Sequence, residues 1–268
     1  MKFFATAVTA ALLSAEVVLA SPVTLVPRAS RSSRSTSAIR RSRPMEALPI
    51  EEGASNTSDV SYSSNWAGAV LVGSGYKSVT GTFTVPTPKL PSGAKTTTEY
   101  AASAWVGLDG DTCDTAILQT GVDFNIKGST VTYDAWYEWY PDYAYTFSGF
   151  SIKAGDVITV TATASSTKAG SVVVENVTTG KSVSHSFSGE SAALCETNAE
   201  WIVEDFEEGN SLVPFANFGT VEFTGCSVTE TSGAVIGASG AEIIDIKQNN
   251  AVLTSCSATS STVTCTYE

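Results

Sequence analysis

From Ser129 to Pro141 the chain reads STVTYDAWYEWYP, and residues two apart in it share their chemistry. On an extended strand Asp134, Trp136, Glu138 and Tyr140 take one face, and Tyr133, Ala135, Tyr137 and Trp139 the other. Runs rich in Val, Thr, Tyr and Phe recur at Thr80–Pro86, Asp156–Ser165, Gly170–Gly180 and Ser261–Glu268. Clusters of Gly, Ser, Asn and Pro separate such runs at Val72–Gly75, Pro86–Gly93 and Thr231–Gly240. No window of a dozen residues carries a helical apolar stripe, and no internal repeat is visible. The pattern predicts an all-β body forming one sandwich rather than two smaller domains, and 43% apolar residues suffice to fill its core.

Charge divides the chain into three parts. MKFFATAVTAALLSAEVVLA, residues 1–20, has a basic start, an apolar stretch and small residues before Ser21, as in a secretory signal peptide cut after Ala20. Residues 21–58 carry Arg28, Arg31, Arg34, Arg40, Arg41 and Arg43 against three glutamates, a net +3, and are too polar to form a core unaided. In a secreted chain such a segment reads as a basic propeptide. Residues 59–268 carry eight Lys and no Arg against 23 acids, a net −15 within a total of −12. That surface repels phosphate backbones, so nucleic acid is excluded as a partner. The apolar run of the leader is short and interrupted by Glu16, which argues against a membrane anchor. The expected product is secreted, extracellular and monomeric.

A single histidine, His185, excludes His₂ and His₃ zinc sites, and neither a metal nor a cofactor is expected. His185 sits in a polar alternating run, and no Gly-x-Ser-x-Gly elbow accompanies it. No Asp-Thr-Gly or Asp-Ser-Gly motif of a pepsin-like enzyme occurs. Chemistry is left to carboxylates, amides and hydroxyls. Of the five cysteines, Cys256 and Cys265 flank a turn at Ala258–Ser261 and can staple the last hairpin. Were Cys113 to pair with Cys195, Cys226 would be left over. Sequons at Asn56 and Asn176 mark candidate glycosylation, the second expected on an exposed turn.

Alternation collects polar groups on shared faces in four segments. Ser103, Trp105, Gly107 and Asp109 share one; Gln119, Gly121 and Asp123 share another. Asp134, Trp136 and Glu138 share a third, and Glu200, Glu204, Phe206 and Glu208 a fourth. On a sandwich they describe either a groove of acids and aromatics or a solvated acidic face over half-buried Trp.

Five stretches carry a resemblance. SNWAGAVL (Ser64–Leu71), AWVGLDGDTCDTAILQTGVDF (Ala104–Phe124), YDAWYEWYPD (Tyr133–Asp142), CETNAEWIVEDFEE (Cys195–Glu208) and VPFANF (Val213–Phe218) resemble the fungal glutamic peptidases, or eqolisins. The resemblance runs from Ser64 to the C-terminus. It implies a single-domain sandwich of two bent antiparallel sheets, concanavalin- or jelly-roll-like, with the active site on a concave face. It further implies a pepstatin-insensitive endopeptidase acting on protein and peptide substrates without a cofactor. The catalytic pair of the family falls on Gln119 and Glu204, and its groove residues on Trp105, Asp109, Asp123, Trp136 and Glu138. Its disulfides fall on Cys113–Cys195 and Cys256–Cys265. Gly209 stands where some relatives have a further cysteine, so that local bridge is absent here.

Such a pair suits acid. Glu204 can take a proton from water while the Gln119 amide binds the oxyanion or orients the water. With a reference Glu pKa of about 4.3, the base works where imidazole is protonated. The arginines of residues 28–43 are expected to pair with the acidic groove and hold the precursor inactive until acid loosens them. The rival readings are a glycoside hydrolase using Glu138 with Glu204, and a carbohydrate-binding module stacking sugars on Trp105, Trp136 and Trp139.

Overall fold

The computed structural model describes residues 26–27, 40–49 and 60–268. The leader expected at 1–20, most of the basic segment and the sequon at Asn56 lie outside the described residues. Among these residues there is no helix, and none long and apolar enough to cross a membrane. Two sheets pack face to face. The larger runs in spatial order Val26–Pro27, Tyr145–Thr146, Thr130–Tyr140, Ile117–Lys127, Glu99–Leu108, Asn198–Glu204, Trp66–Val72, Glu242–Gln248 and Ala251–Val252. The smaller runs Lys181–Ser188, Ala169–Asn176, Val157–Ser166, Tyr76–Thr84, Thr220–Glu230, Thr262–Tyr267 and Thr254–Ala258. One pair departs from the expected antiparallel order: Val60–Ser63 lies parallel to Glu242–Gln248. A bend at Ser64–Asn65 then reverses the chain into Trp66–Val72, which lies antiparallel to the same strand.

The period-two code decides which side chains fill the space between the sheets. Ala104, Val106 and Leu108, with Leu118, Val122 and Phe124, point inward from the larger sheet. Ile158, Val160, Ala162 and Ala164 meet them from the smaller one. Each large apolar side chain so buried contributes about 1.5–3 kcal/mol. Trp201 crosses the layer and donates its indole N–H to Thr80 O at 2.8 Å. The close approach needs Gly81, since a Cβ there would lie 2.9 Å from the indole. On the outer side of the smaller sheet hydroxyls pair across strands, Thr80 with Thr161 and Thr82 with Thr159, both at 2.8 Å.

The bridges Cys113–Cys195 and Cys256–Cys265 form, and Cys226 is free and buried. Asn176 does not take the exposed position expected of it. It is fully buried, and its amide donates to Asp156 Oδ2 at 2.8 Å, which leaves no room for a glycan. The alternation through Glu200 and Glu204 also stops early. The strand ends at Glu204, and Glu207–Glu208 turns away to pair with Ser211–Leu212 and with Arg40–Arg41 in a third small sheet.

Candidate active site

Cross-strand register lines the other face of the larger sheet in three rows. Glu200, Gly107, Gln119 and Glu138 are direct neighbours; so are Ile202, Trp105, Gly121 and Trp136; so are Glu204, Ser103, Asp123 and Asp134. The glycines make room in this array. A Cβ on Gly121 would meet Ala104 O and Trp105 Cβ at 2.4 Å, and one on Gly107 would lie 2.6 Å from Glu200 Oε1. Trp105 can therefore lie across the floor, packed edge-on against Trp66 at 4.9 Å between centroids, and reach the third row. Its indole N–H donates to Glu204 Oε2 at 2.9 Å. Trp136 donates to Ser103 Oγ at 3.0 Å.

Gln119 Nε2 donates to Glu138 Oε2 at 3.3 Å and to the carbonyl of Ser42 at 3.2 Å. Two acceptors on that side fix the amide orientation. They leave Gln119 Oε1 buried and without a partner among the described residues.

Ser42 belongs to a strap, residues 40–49, that lies extended along the groove. Its backbone is held step by step. Ala144 N donates to Arg40 O at 3.2 Å, and Ser42 N donates to Glu138 Oε2 at 3.0 Å. Arg43 N donates to Glu204 Oε1 at 3.2 Å, and Trp66 Nε1 to Arg43 O at 2.9 Å. Asn65 Nδ2 donates to Pro44 O, Met45 N to Gly110 O and Leu48 N to Tyr62 O. Only Arg40–Arg41 is an added strand, paired with Glu207–Glu208; from Ser42 to Pro44 side chains of the groove hold the main chain. Pro44 also keeps Arg43 out of the helical region.

The strap's arginines meet acids. Arg40, buried, places Nη1 3.0 Å from Asp123 and Nε 3.5 Å from Glu208, with its guanidinium 3.4 Å from the Phe206 ring centre. Arg43 Nε lies 3.0 Å from Glu207, and Arg41 stacks on Tyr143. Burial raises the Glu207 pKa, while Arg43 pulls it back.

Gln119, Glu204, Trp105, Glu138, Asp123 and Trp136 thus converge on one groove. Asp109 does not join them. Held at a φ of 70°, it turns away and accepts the backbone N–H groups of Cys195, Glu196, Thr197 and Asn198 at 2.7–3.2 Å. Its part is to clamp the loop that leads into Asn198–Glu204. Trp139 faces the core and donates to Ala192 O, so it offers no platform to a sugar. His185 stacks on Tyr137 at 4.2 Å, where burial lowers its pKa. Asn65, Tyr143 and Glu207 hold the strap from turns and short strands that the grouping by alternation did not single out, whereas Phe206 and Glu208, grouped with Glu204, reach it from beyond the strand end.

Comparison with known proteins agrees with this geometry. The Peptidase A4 family model matches residues 64–267. Aspergillopepsin-2 of Aspergillus niger is 49% identical over 98% of this chain and 99% of its own. Scytalidopepsin B of Scytalidium lignicola is 45% identical over the whole of both chains. A crystal structure of scytalido-glutamic peptidase with a transition state analog inhibitor superposes with a TM-score of 0.70 at 49% identity, covering 76% of this chain and 98% of that one. A groove that grips one peptide unit with an amide and a carboxylate, on a sandwich matched along its length, places the chain in the peptidase A4 family, the eqolisins or glutamic peptidases.

Proposed function

We propose that this chain is the precursor of a secreted, acid-active endopeptidase, with Glu204 and Gln119 as the catalytic pair. Residues 1–20 direct secretion, 21–58 are the propeptide and 59–268 the catalytic domain. One observation carries the reading: Gln119 donates to the carbonyl oxygen, and Glu204 accepts from the nitrogen, of a single peptide unit. In hydrolysis Glu204 takes a proton from water as the water oxygen bonds to the carbonyl carbon, and later gives a proton to the departing nitrogen. Gln119 Nε2 then faces the oxygen on which negative charge gathers, where a donor is worth about 10²–10³ in rate. Trp105 holds the Glu204 carboxylate in place through its indole N–H. Asp123, Glu138 and Trp136 form the wall and floor along which a peptide substrate is held.

While the strap occupies the groove no other peptide can, so the basic propeptide is the enzyme's own inhibitor. The glycosidase reading is weakened because Glu138 is engaged with Gln119 and Ser42 N rather than facing Glu204 across an open gap. Digestion of a denatured protein near pH 3, beside polysaccharide controls, tests the assignment. Glu204→Gln and Gln119→Ala should each lose at least roughly 100-fold in kcat, the scale of a missing base or oxyanion donor. Robust proteolysis by either variant overturns it.

A further inference from the structure

We propose that the Ser42–Arg43 bond is the first bond this chain cuts, and that it cuts it in itself. The proposal rests on the peptidase reading above and goes beyond it by naming a self-cleavage site. A strap that merely blocked the groove could cross it in any register. This one sets one peptide unit against the catalytic pair, its carbonyl on Gln119 Nε2 and its N–H on Glu204 Oε1.

Both flanks fix that register. Upstream, the Arg40 guanidinium is locked between Asp123, Glu208 and the Phe206 ring, and Arg40 O takes the Ala144 N–H. Downstream, Trp66 and Asn65 hold the carbonyls of Arg43 and Pro44, and Met45 N binds Gly110 O. Sliding by one residue would break all of these bonds at once. The bound geometry is that of a reactant held in place, so the entropy of bringing bond and catalyst together is already spent.

The step balances without a co-reactant other than water. The water oxygen bonds to the Ser42 carbonyl carbon, and its proton passes through Glu204 to the Arg43 nitrogen. The carbon–nitrogen bond breaks, leaving a Ser42 carboxyl group and an Arg43 amino group. Gln119 Oε1 is a buried acceptor beside this carbonyl with which the entering water can be held. The downstream piece is covalently continuous with the body, and Ala47 bridging Ser63 and Leu48 bonding Tyr62 keep it docked there. An intermediate beginning at Arg43 should therefore precede any later trimming.

The position separates self-cleavage from processing by another protease that reads the arginines. Cutting after Arg41 would leave Ser42 at the new N-terminus, and cutting after Arg43 would leave Pro44. The test is a time course of purified precursor after acidification, read by N-terminal sequencing and intact mass, at several dilutions. A species starting at Arg43, formed at a rate unchanged by dilution, is the expected result. Glu204→Gln should slow its formation roughly 100-fold or more, its folding checked by thermal unfolding against the parent. Arg43→Pro, which removes the N–H that Glu204 holds and leaves the body untouched, should abolish the Arg43 species. If the wild-type protein becomes active on added substrate while the 42–43 bond stays intact, or if the first new N-terminus is Ser42 or Pro44, self-cleavage here is overturned and the peptidase assignment stands. If Glu204→Gln digests added substrate, the peptidase assignment itself falls.

Discussion

Glu200 sits in the first row of the groove floor, fully buried above Gly107, and neither of its carboxylate oxygens has a hydrogen-bond partner among the described residues. Burial raises its pKa well above 4.5, and the charges of Asp109 and Asp111 add to the effect. The folded chain therefore keeps a proton that the unfolded chain releases. With a folded pKa above the unfolded one, the stability linked to this proton is complete below about 4.5 and is lost as pH rises towards the folded value. The loss can be bounded. At about pH 7 the solution is about 2.5 units above the reference value, and each unit is worth about 1.4 kcal/mol, so the penalty cannot exceed about 3.5 kcal/mol. Glu200→Gln keeps the shape and removes the titration. It should leave unfolding near pH 3 unchanged to within about 1 kcal/mol, and raise stability near pH 7 by up to about 3.5 kcal/mol, or about 7–14 °C in Tm for a body of this size. Thermal and urea unfolding at both pH values measure it. A variant whose loss of stability between pH 4.5 and 7 matches that of the parent would refute the account, and so would one destabilised by several kcal/mol in acid.

Two further outcomes follow from the groove. Trp105→Phe deletes the indole N–H donation to Glu204, and hydrogen bonds to charged groups are worth about 1.5–3 kcal/mol. It should cost about 10- to 100-fold in kcat, and an unchanged kcat would count against Trp105 as the residue that positions the base. A synthetic peptide spanning residues 38–49 should compete with added substrate in initial-rate assays of the processed enzyme, before its own Ser42–Arg43 bond is cut, and Arg40→Gln in that peptide should weaken the competition. Both members of the Arg40–Asp123 pair are buried, and breaking such a pair costs about 3–5 kcal/mol, or roughly 10²–10⁴ in Ki. Equal inhibition by both peptides near pH 5 would refute the pairing.

The sequence made the sheets legible because one face of each strand had to be apolar. Trp201 inward and Glu204 outward followed from a period of two, as did Tyr137 inward and Glu138 outward. The same rule grouped Gln119 with Asp123 and Trp105 with Ser103, and their convergence needed only the register. It failed where the backbone stopped being a strand. Asp109 shares the alternation of Trp105, but it lies one residue past the strand end in a left-handed conformation, and its carboxylate is drawn to four backbone N–H groups. Phe206 and Glu208 likewise follow the strand end, and they reach the strap through a separate two-residue strand. Asn176 was misplaced for a different reason. A sequon reports a local triplet, whereas burial against Asp156 is a contact between distant segments.

The acidic balance of the body has two separate physical consequences, and they act in the same direction. One set of carboxylates is buried in the body itself. Burial pushes Asp205 well above its ordinary value and Asp245 up to about 6, as it does Glu200, so each favours the folded body at low pH and opposes it as pH rises. A second set faces the strap: Asp123 and Glu208 on Arg40, and Glu207 on Arg43. These attract the arginines only while ionised, so protonation weakens the strap's hold. Acidification thus tightens the body and loosens its inhibitor together. Substitutions in the two sets should separate these effects: Glu200→Gln flattens the pH dependence of unfolding without moving the pH at which the strap is released, and Glu207→Gln does the reverse. A single variant that shifted both by the same amount would mean that strap and body titrate as one unit.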